Sequence, residues 1–156
     1  MSKQHHYSTT ITWTGNQGSG TSQYLAYNRN HTISAEGKVS ILASSDPAFR
    51  GDKTKYNPEE LLVASIASCH MLWYLHLCAD AGVVVVDYTD KASGTMAETE
   101  TGGGRFVEIT LHPQVTVTDK SMIDKAAELH HKANKLCFIS NSVNFPIHHK
   151  PIIKAA

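Results

Sequence analysis

An α+β fold of antiparallel strands and two main helices, organised as a single domain over residues 1–156, is what this sequence predicts. Three observations carry the expectation. Polar and apolar residues alternate over STTITWTG near the N-terminus and again over RFVEITLHPQVTVT, the period of half-buried strands. The stretch Asn57–Val86 opens with helix-start residues and continues as one of the most apolar runs of the chain. From Asp119 onward, Met122, Ile123, Ala126, Leu129, Ala133 and Leu136 recur at helical spacing, with lysines and glutamate on much of the other side.

Taken in order, STTITWTG, HTIS and KVSILAS form a small antiparallel meander, with Glu36–Gly37 placed for a tight turn. SSDPAFRGDKTKY interrupts the pattern with Pro47, Gly51 and dispersed charge, as an ordered loop does. Asn57 then serves as N-cap, Pro58 occupies the first helical position and Glu60 completes a capping box, so a helix runs to about Ala81 and stops at Gly82. The β-branched run after Gly82, the TGGG reversal and RFVEITLHPQVTVT predict a second antiparallel sheet. The second helix ends near Cys137, and NSVNFPIHHKPII supplies one last extended segment, whose Pro146 and Pro151 suit a sheet edge.

Lys plus Arg and Asp plus Glu each number 14, so no net field favours a nucleic acid or an anionic membrane. Leu61–Val86 is long enough to span a bilayer but carries Ser65, Ser68, His70, His76 and Asp80. An aspartate in mid-bilayer costs about 2.5–3.5 kcal/mol, which favours a buried helix followed by a strand. MSKQHHYSTT contains no apolar signal core, and three dispersed cysteines without a CxxC do not make a stapled secreted scaffold, so a reducing, cytoplasmic setting is expected.

The three cysteines raise the question of chemistry. An unpaired cysteine in an apolar helix is ordinarily a small core residue, and no HExxH, CxxC or i,i+4 histidine pair accompanies Cys69 as a metal site would require. Neither metal nor cofactor is expected. Cys78 lies nine residues beyond Cys69 on the same helix, which turns it to the opposite face and reads as packing. Cys137 is the sequence-distant partner, and spacing alone leaves open whether the two sulfurs meet.

A reactive Cys69 needs a cation, because it sits about three turns into its helix, beyond most of the macrodipole's reach. The arginines are Arg29, Arg50 and Arg105; Arg50 lies in the loop entering the helix and Arg29 in YNRNH. Glu59 could orient such a guanidinium bidentately, or simply complement the helix dipole. In a continuous helix Glu59 and Cys69 are separated by about 15 Å along the axis, so either the helix breaks or a second subunit supplies one of the groups.

The motif NPEELLVASIASC, from Asn57 to Cys69, resembles the OsmC/Ohr family of osmotically inducible and organic-hydroperoxide-resistance proteins. HHKANKLCFISNSV around Cys137 and the order of strands and helices extend the resemblance over nearly the whole chain. The resemblance implies an OsmC-like fold, an intertwined homodimer with sites near the subunit interface, and a thiol-dependent peroxidase for organic hydroperoxides, with hydrogen peroxide a further candidate, in oxidative-stress defence. It casts Cys69 as peroxidatic cysteine, Cys137 as resolving cysteine and Glu59 as the holder of the catalytic arginine. An external dithiol, of lipoyl type for example, would recycle the protein. Phe138 stands where the family commonly has proline, and the Gly-rich GNQGSG, which carries the arginine in the Ohr branch, has none here. AFRGD therefore makes Arg50 the choice and Arg29 the reserve. Two other readings stay open: a non-catalytic dimer holding an apolar ligand in the same cleft, and a thiol enzyme for another electrophile.

Overall fold

The structure is a computed structural model describing residues 2–156. The chain divides into two compact units, Met1–Leu61 and Leu62–Ala156, with the boundary inside the first long helix.

In the first unit, β1 (Thr10–Trp13), β2 (His31–Ser34) and β3 (Ile41–Ala43) form the expected meander, in the order β1-β2-β3 with both pairs antiparallel. The turn between β2 and β3 falls where the sequence placed it: Lys38 N–H donates to Ala35 at 3.1 Å and Gly37 adopts φ 72°. The loop that follows contains a 3₁₀ turn, Pro47–Phe49, capped by the Asp46 side chain and closed by Arg50 in a left-handed conformation, φ 64°. A reciprocal capping box then starts the first long helix, α1 (Pro58–Asp80). Glu60 N–H donates to Asn57 Oδ1 at 2.8 Å, and Asn57 N–H donates to Glu60 Oε2 at 3.2 Å.

α1 ends in a Schellman arrangement, Val83 N–H bonding to Cys78 at 2.9 Å while Gly82 takes φ 70°. By length and composition α1 could cross a membrane, yet only 28% of its apolar window is buried within the chain. Its buried residues, Ile66, His70, Tyr74, Leu77 and Cys78, recur at three- and four-residue spacing and face one way.

In the second unit α1 continues beside β4 (Val85–Asp90), β5 (Ser93–Glu98), β6 (Gly104–Leu111), β7 (Pro113–Val117), α2 (Ile123–Leu136), β8 (Ile147–His149) and β9 (Ile152–Ala155). The strands make two three-stranded sheets, β4-β7-β9 and β5-β6-β8, where one antiparallel sheet was expected. Both are mixed, since β8 and β9 pair in parallel with β6 and β7.

The difference has a local cause. Three extended segments each cross from one sheet to the other at a short corner: Lys91–Ala92, His112 and Lys150–Pro151. At the middle corner the His112 N–H leaves the ladder and donates to Asp90 Oδ1 at 2.8 Å, and Lys150 N–H bonds to Leu111 at 2.9 Å. Pro113 and Pro151, which cannot donate, sit at the restart of the crossing segments. The last extended segment thus becomes two strands, both at sheet edges as its prolines suggested.

Two core clusters back this framework. Tyr74, Leu77 and Cys78 of α1 pack with Val115 and Val117 of β7 and with Ala126, Leu129 and Ala133 of α2. Ile66 packs with Phe106, Ile109 and Leu111 of β6. Burial of each such side chain contributes about 1.5–3 kcal/mol, so α1 and α2 are held firmly at the level where their cysteines lie.

Candidate functional site

Cys69 lies half-buried on α1 and Cys137 is fully buried at the end of α2, and both are free thiols. Cys137 leaves the helix with φ −65° and ψ 113°, while its N–H still bonds to Ala133 at 3.0 Å. That change of direction turns the chain back as a short helical turn, in which Asn141 N–H bonds to the Cys137 carbonyl at 3.1 Å. The Cys137 side chain lies near enough to act on the ionisation of the Cys69 thiol, so the fold makes neighbours of the pair that sequence spacing left open.

Burial is the first cause that pushes the Cys69 thiol upward from its ordinary value, and the neighbouring Cys137 thiol adds to it. The backbone N–H groups of Ile139 and Phe138 oppose the rise. Among the described residues of this unit, no cationic side chain contributes.

Arg50 and Glu59 lie in the Met1–Leu61 unit. Arg50 is exposed, and among the described residues neither it nor Glu59 takes part in an ion pair. Glu59 Oε2 is nevertheless buried without a hydrogen-bond partner. The reserve, Arg29, is committed locally: it donates to the carbonyls of Tyr27 and Tyr24 at 2.6 and 2.8 Å, and its guanidinium covers both rings. Because α1 is unbroken from Pro58 to Asp80, the rise of about 15 Å between Glu59 and Cys69 applies.

Cys78 is buried in the core cluster that holds Tyr74. Apolar side chains flank the Cys69 and Cys137 pair: Leu72 and Phe138 are 64% and 62% exposed, and Trp73 meets Phe138 edge-on at 5.8 Å. Among the described residues, no group of three or more His, Cys, Asp or Glu side chains is arranged to hold a metal.

Sequence reasoning missed a buried histidine stack next to Cys69. His70 Nε2 and His130 Nδ1 are 2.9 Å apart with both residues fully buried, and the rings stack at 5.2 Å. His149 of β8 lies 5.9 Å from His70, and Tyr74 stacks on His130 at 3.8 Å. The adjacent histidines do diverge as expected, His130 inward and His131 outward, but the inward members of separate elements converge. The available signal was positional: His70 occupies the buried stripe Ile66-His70-Tyr74, and a polar group there must find a partner.

The family described as OsmC-like protein matches residues 51–151. An OsmC-like protein of unknown function from Vibrio cholerae O1 biovar eltor shares 32% identity, over 96% of this chain and 100% of that one, with TM-score 0.85. An organic hydroperoxide resistance protein from Elizabethkingia anophelis is similar in fold, with 21% identity, 99% and 100% coverage and TM-score 0.68. So is an organic hydroperoxide resistance protein from Legionella pneumophila, with 19% identity, 97% and 99% coverage and TM-score 0.68. No curated protein matches the chain.

Proposed function

This chain belongs to the OsmC-like protein family, and from that premise we propose that it is a cysteine-based peroxidase that reduces organic hydroperoxides in oxidative-stress defence. The observation that carries the reading is that the fold makes neighbours of the Cys69 and Cys137 thiols, one half-buried and reachable, the other enclosed. The Cys69 thiolate attacks the distal peroxide oxygen, the O–O bond breaks, and the departing alkoxide takes a proton to leave as alcohol. Cys69 is left as sulfenic acid. The Cys137 sulfur then attacks the Cys69 sulfur, water leaves, and a disulfide forms. An external dithiol, of lipoyl type or dithiothreitol in the test tube, exchanges twice and restores both thiols.

Ionisation of Cys69 requires a cation that its own unit does not supply. In this proposal Arg50, held by Glu59, provides it from a second copy of the chain in a homodimer. Three features support that arrangement: the unpartnered Glu59 oxygen, the unpaired Arg50 and the sparse burial of an apolar α1. The exposed Leu72 and Phe138 beside the thiols suit an alkyl group on the peroxide.

The same apolar surface favours, as a second reading, a non-catalytic dimer that holds an apolar ligand. Turnover of tert-butyl or cumene hydroperoxide with dithiothreitol separates the two, since a binding protein leaves the peroxide intact. Competition with other electrophiles fixes the substrate class. One equivalent of hydroperoxide is also expected to produce a Cys69–Cys137 linked peptide with the loss of two hydrogens. A persistent sulfenic acid in place of that peptide would deny Cys137 its part.

A further inference from the structure

Hydrogen bonds from the turn that follows α2 hold the Cys137 sulfur. Cys137 ends α2 with its N–H on the Ala133 carbonyl at 3.0 Å, and its own carbonyl accepts the Asn141 N–H at 3.1 Å. Its Sγ accepts the Ser140 N–H at 3.4 Å, as a serine or threonine oxygen does at a helix start. Two side chains tie this turn down: the Asn141 amide donates to the Lys135 carbonyl at 3.0 Å, and the Ser142 hydroxyl donates to the Phe138 carbonyl at 2.7 Å. Lys135 lies in the last turn of α2, where carbonyls have no partner within the helix, so the Asn141 side chain fills a bond that the helix leaves open. Asn141 therefore grips the chain at two points, the cysteine itself through its main chain and the helix before it through its side chain.

We propose that Asn141 is a positioning residue for the resolving step: it clamps the turn against the end of α2, so that the Ser140 N–H keeps the sulfur of the fully buried Cys137 in one orientation for its attack on Cys69. This role rests on the peroxidase reading, because it serves that reaction's second half. There the Cys137 sulfur gives up its proton and forms the S–S bond, while the S–O bond of the Cys69 sulfenic acid breaks and the hydroxyl leaves with that proton as water. Asn141 touches neither sulfur. Its effect is geometric, and geometry is costly here: a displacement of about 1 Å lowers a rate by about a hundredfold where two groups must meet in line.

Asn141→Asp tests the clamp, since it keeps the size and the main-chain N–H but sets an oxygen against the Lys135 carbonyl in place of the donating amide. Lys135→Ala is the control: it retains that carbonyl and loses a side chain that forms no ion pair among the described residues. After one equivalent of cumene hydroperoxide, Cys69 sulfenic acid trapped with dimedone at timed intervals should form at the wild-type rate in Asn141→Asp and persist about tenfold longer, with Lys135→Ala following the wild type. A general loss of stability does not divide the two steps in this way, and an unchanged sulfenic acid lifetime would overturn the proposal. Equilibration with reduced and oxidised glutathione measures the effective concentration of one thiol toward the other without any hydroperoxide, and Asn141→Asp should lower it about tenfold. That fall in a protein inert to hydroperoxides would sink the peroxidase reading and leave the clamp standing; an unchanged value would sink the clamp. Amide exchange at Ser140 needs no variant of Asn141. It should be slow in the wild type and in Cys137→Ser, whose oxygen accepts the same bond, and about tenfold faster in Cys137→Ala; equal rates in the two variants would likewise overturn the proposal.

Discussion

Cys69→Ser is expected to reduce hydroperoxide turnover to the uncatalysed level, a loss of at least about a thousandfold given that enzymes accelerate their reactions by about a millionfold or more. The serine hydroxyl keeps the size and the position on α1 but does not ionise near neutral pH, so no nucleophile meets the distal oxygen. Cys137→Ser should behave differently. Cys69 remains able to cleave one peroxide per chain, so a first equivalent is consumed quickly and further turnover slows, because the sulfenic acid then waits for an external thiol. Cys78→Ser serves as the control within the same helix, since Cys78 is buried in the Tyr74 cluster and lies about 13.5 Å along the axis from Cys69. Undiminished turnover in Cys69→Ser would remove that sulfur from the mechanism whatever the other two variants do.

The second large effect concerns stability. Folded stability should fall as pH drops below about 6.5, because the native protein keeps His70 and His130 neutral while the unfolded chain protonates both. Burial is the first cause in each case, pushing His70 down to about 4 and His130 down to about 3, with neighbouring histidines adding to it. The groups facing the pair are His149 from β8, His131 on α2 and Tyr74 from α1, and none is a carboxylate that could hold an imidazolium. Their mutual 2.9 Å hydrogen bond requires a neutral acceptor, so a proton on that nitrogen also breaks the bond.

Sign and size follow from linkage. A depressed histidine contributes stability that is present above its unfolded value and lost as pH falls toward its folded value, at about 1.4 kcal/mol per pH unit for each group. Between pH 6.5 and 5 the pair accounts for about 3 kcal/mol, since the slope reaches its full value only once the unfolded histidines are mostly protonated, and in a protein of this size that lowers Tm by about 10 °C. Thermal melts of the wild type at these two pH values, set against the double variant His70→Leu/His130→Leu, read the effect directly. The double variant should show a much flatter dependence on pH; parallel curves for the two proteins would mean that other groups carry the acid sensitivity.

What could be read from the sequence was local. The start of α1 was legible because Asn57, Pro58 and Glu60 satisfy the orphan N–H groups within four residues, and its end because Gly82 alone suits the left-handed position there. The corners that divide the strands into two sheets were not legible. They depend on Asp90 meeting the His112 N–H across 22 residues, a pairing no window of alternating residues can register. The same holds for His70 and His130, 60 residues apart, whose contact follows from the packing of α1 on α2. Cys69 and Cys137 stood out by resemblance to a family, and only the fold made them neighbours. Arg50 and Glu59 rest on that resemblance still, because the elements that carry them belong to a different compact unit from the thiols.

The most direct test of the account is the ionisation of Cys69 in the native assembly, followed by thiolate absorbance or by alkylation read on its own peptide. Within its own unit this sulfur is biased toward the thiol, so the assembled protein must reverse that bias if a guanidinium acts on it. The account predicts an apparent pKa below about 7, in the range of reactive cysteines beside a cation. A Cys69 that still holds its proton above about pH 9 in the assembled protein would contradict it.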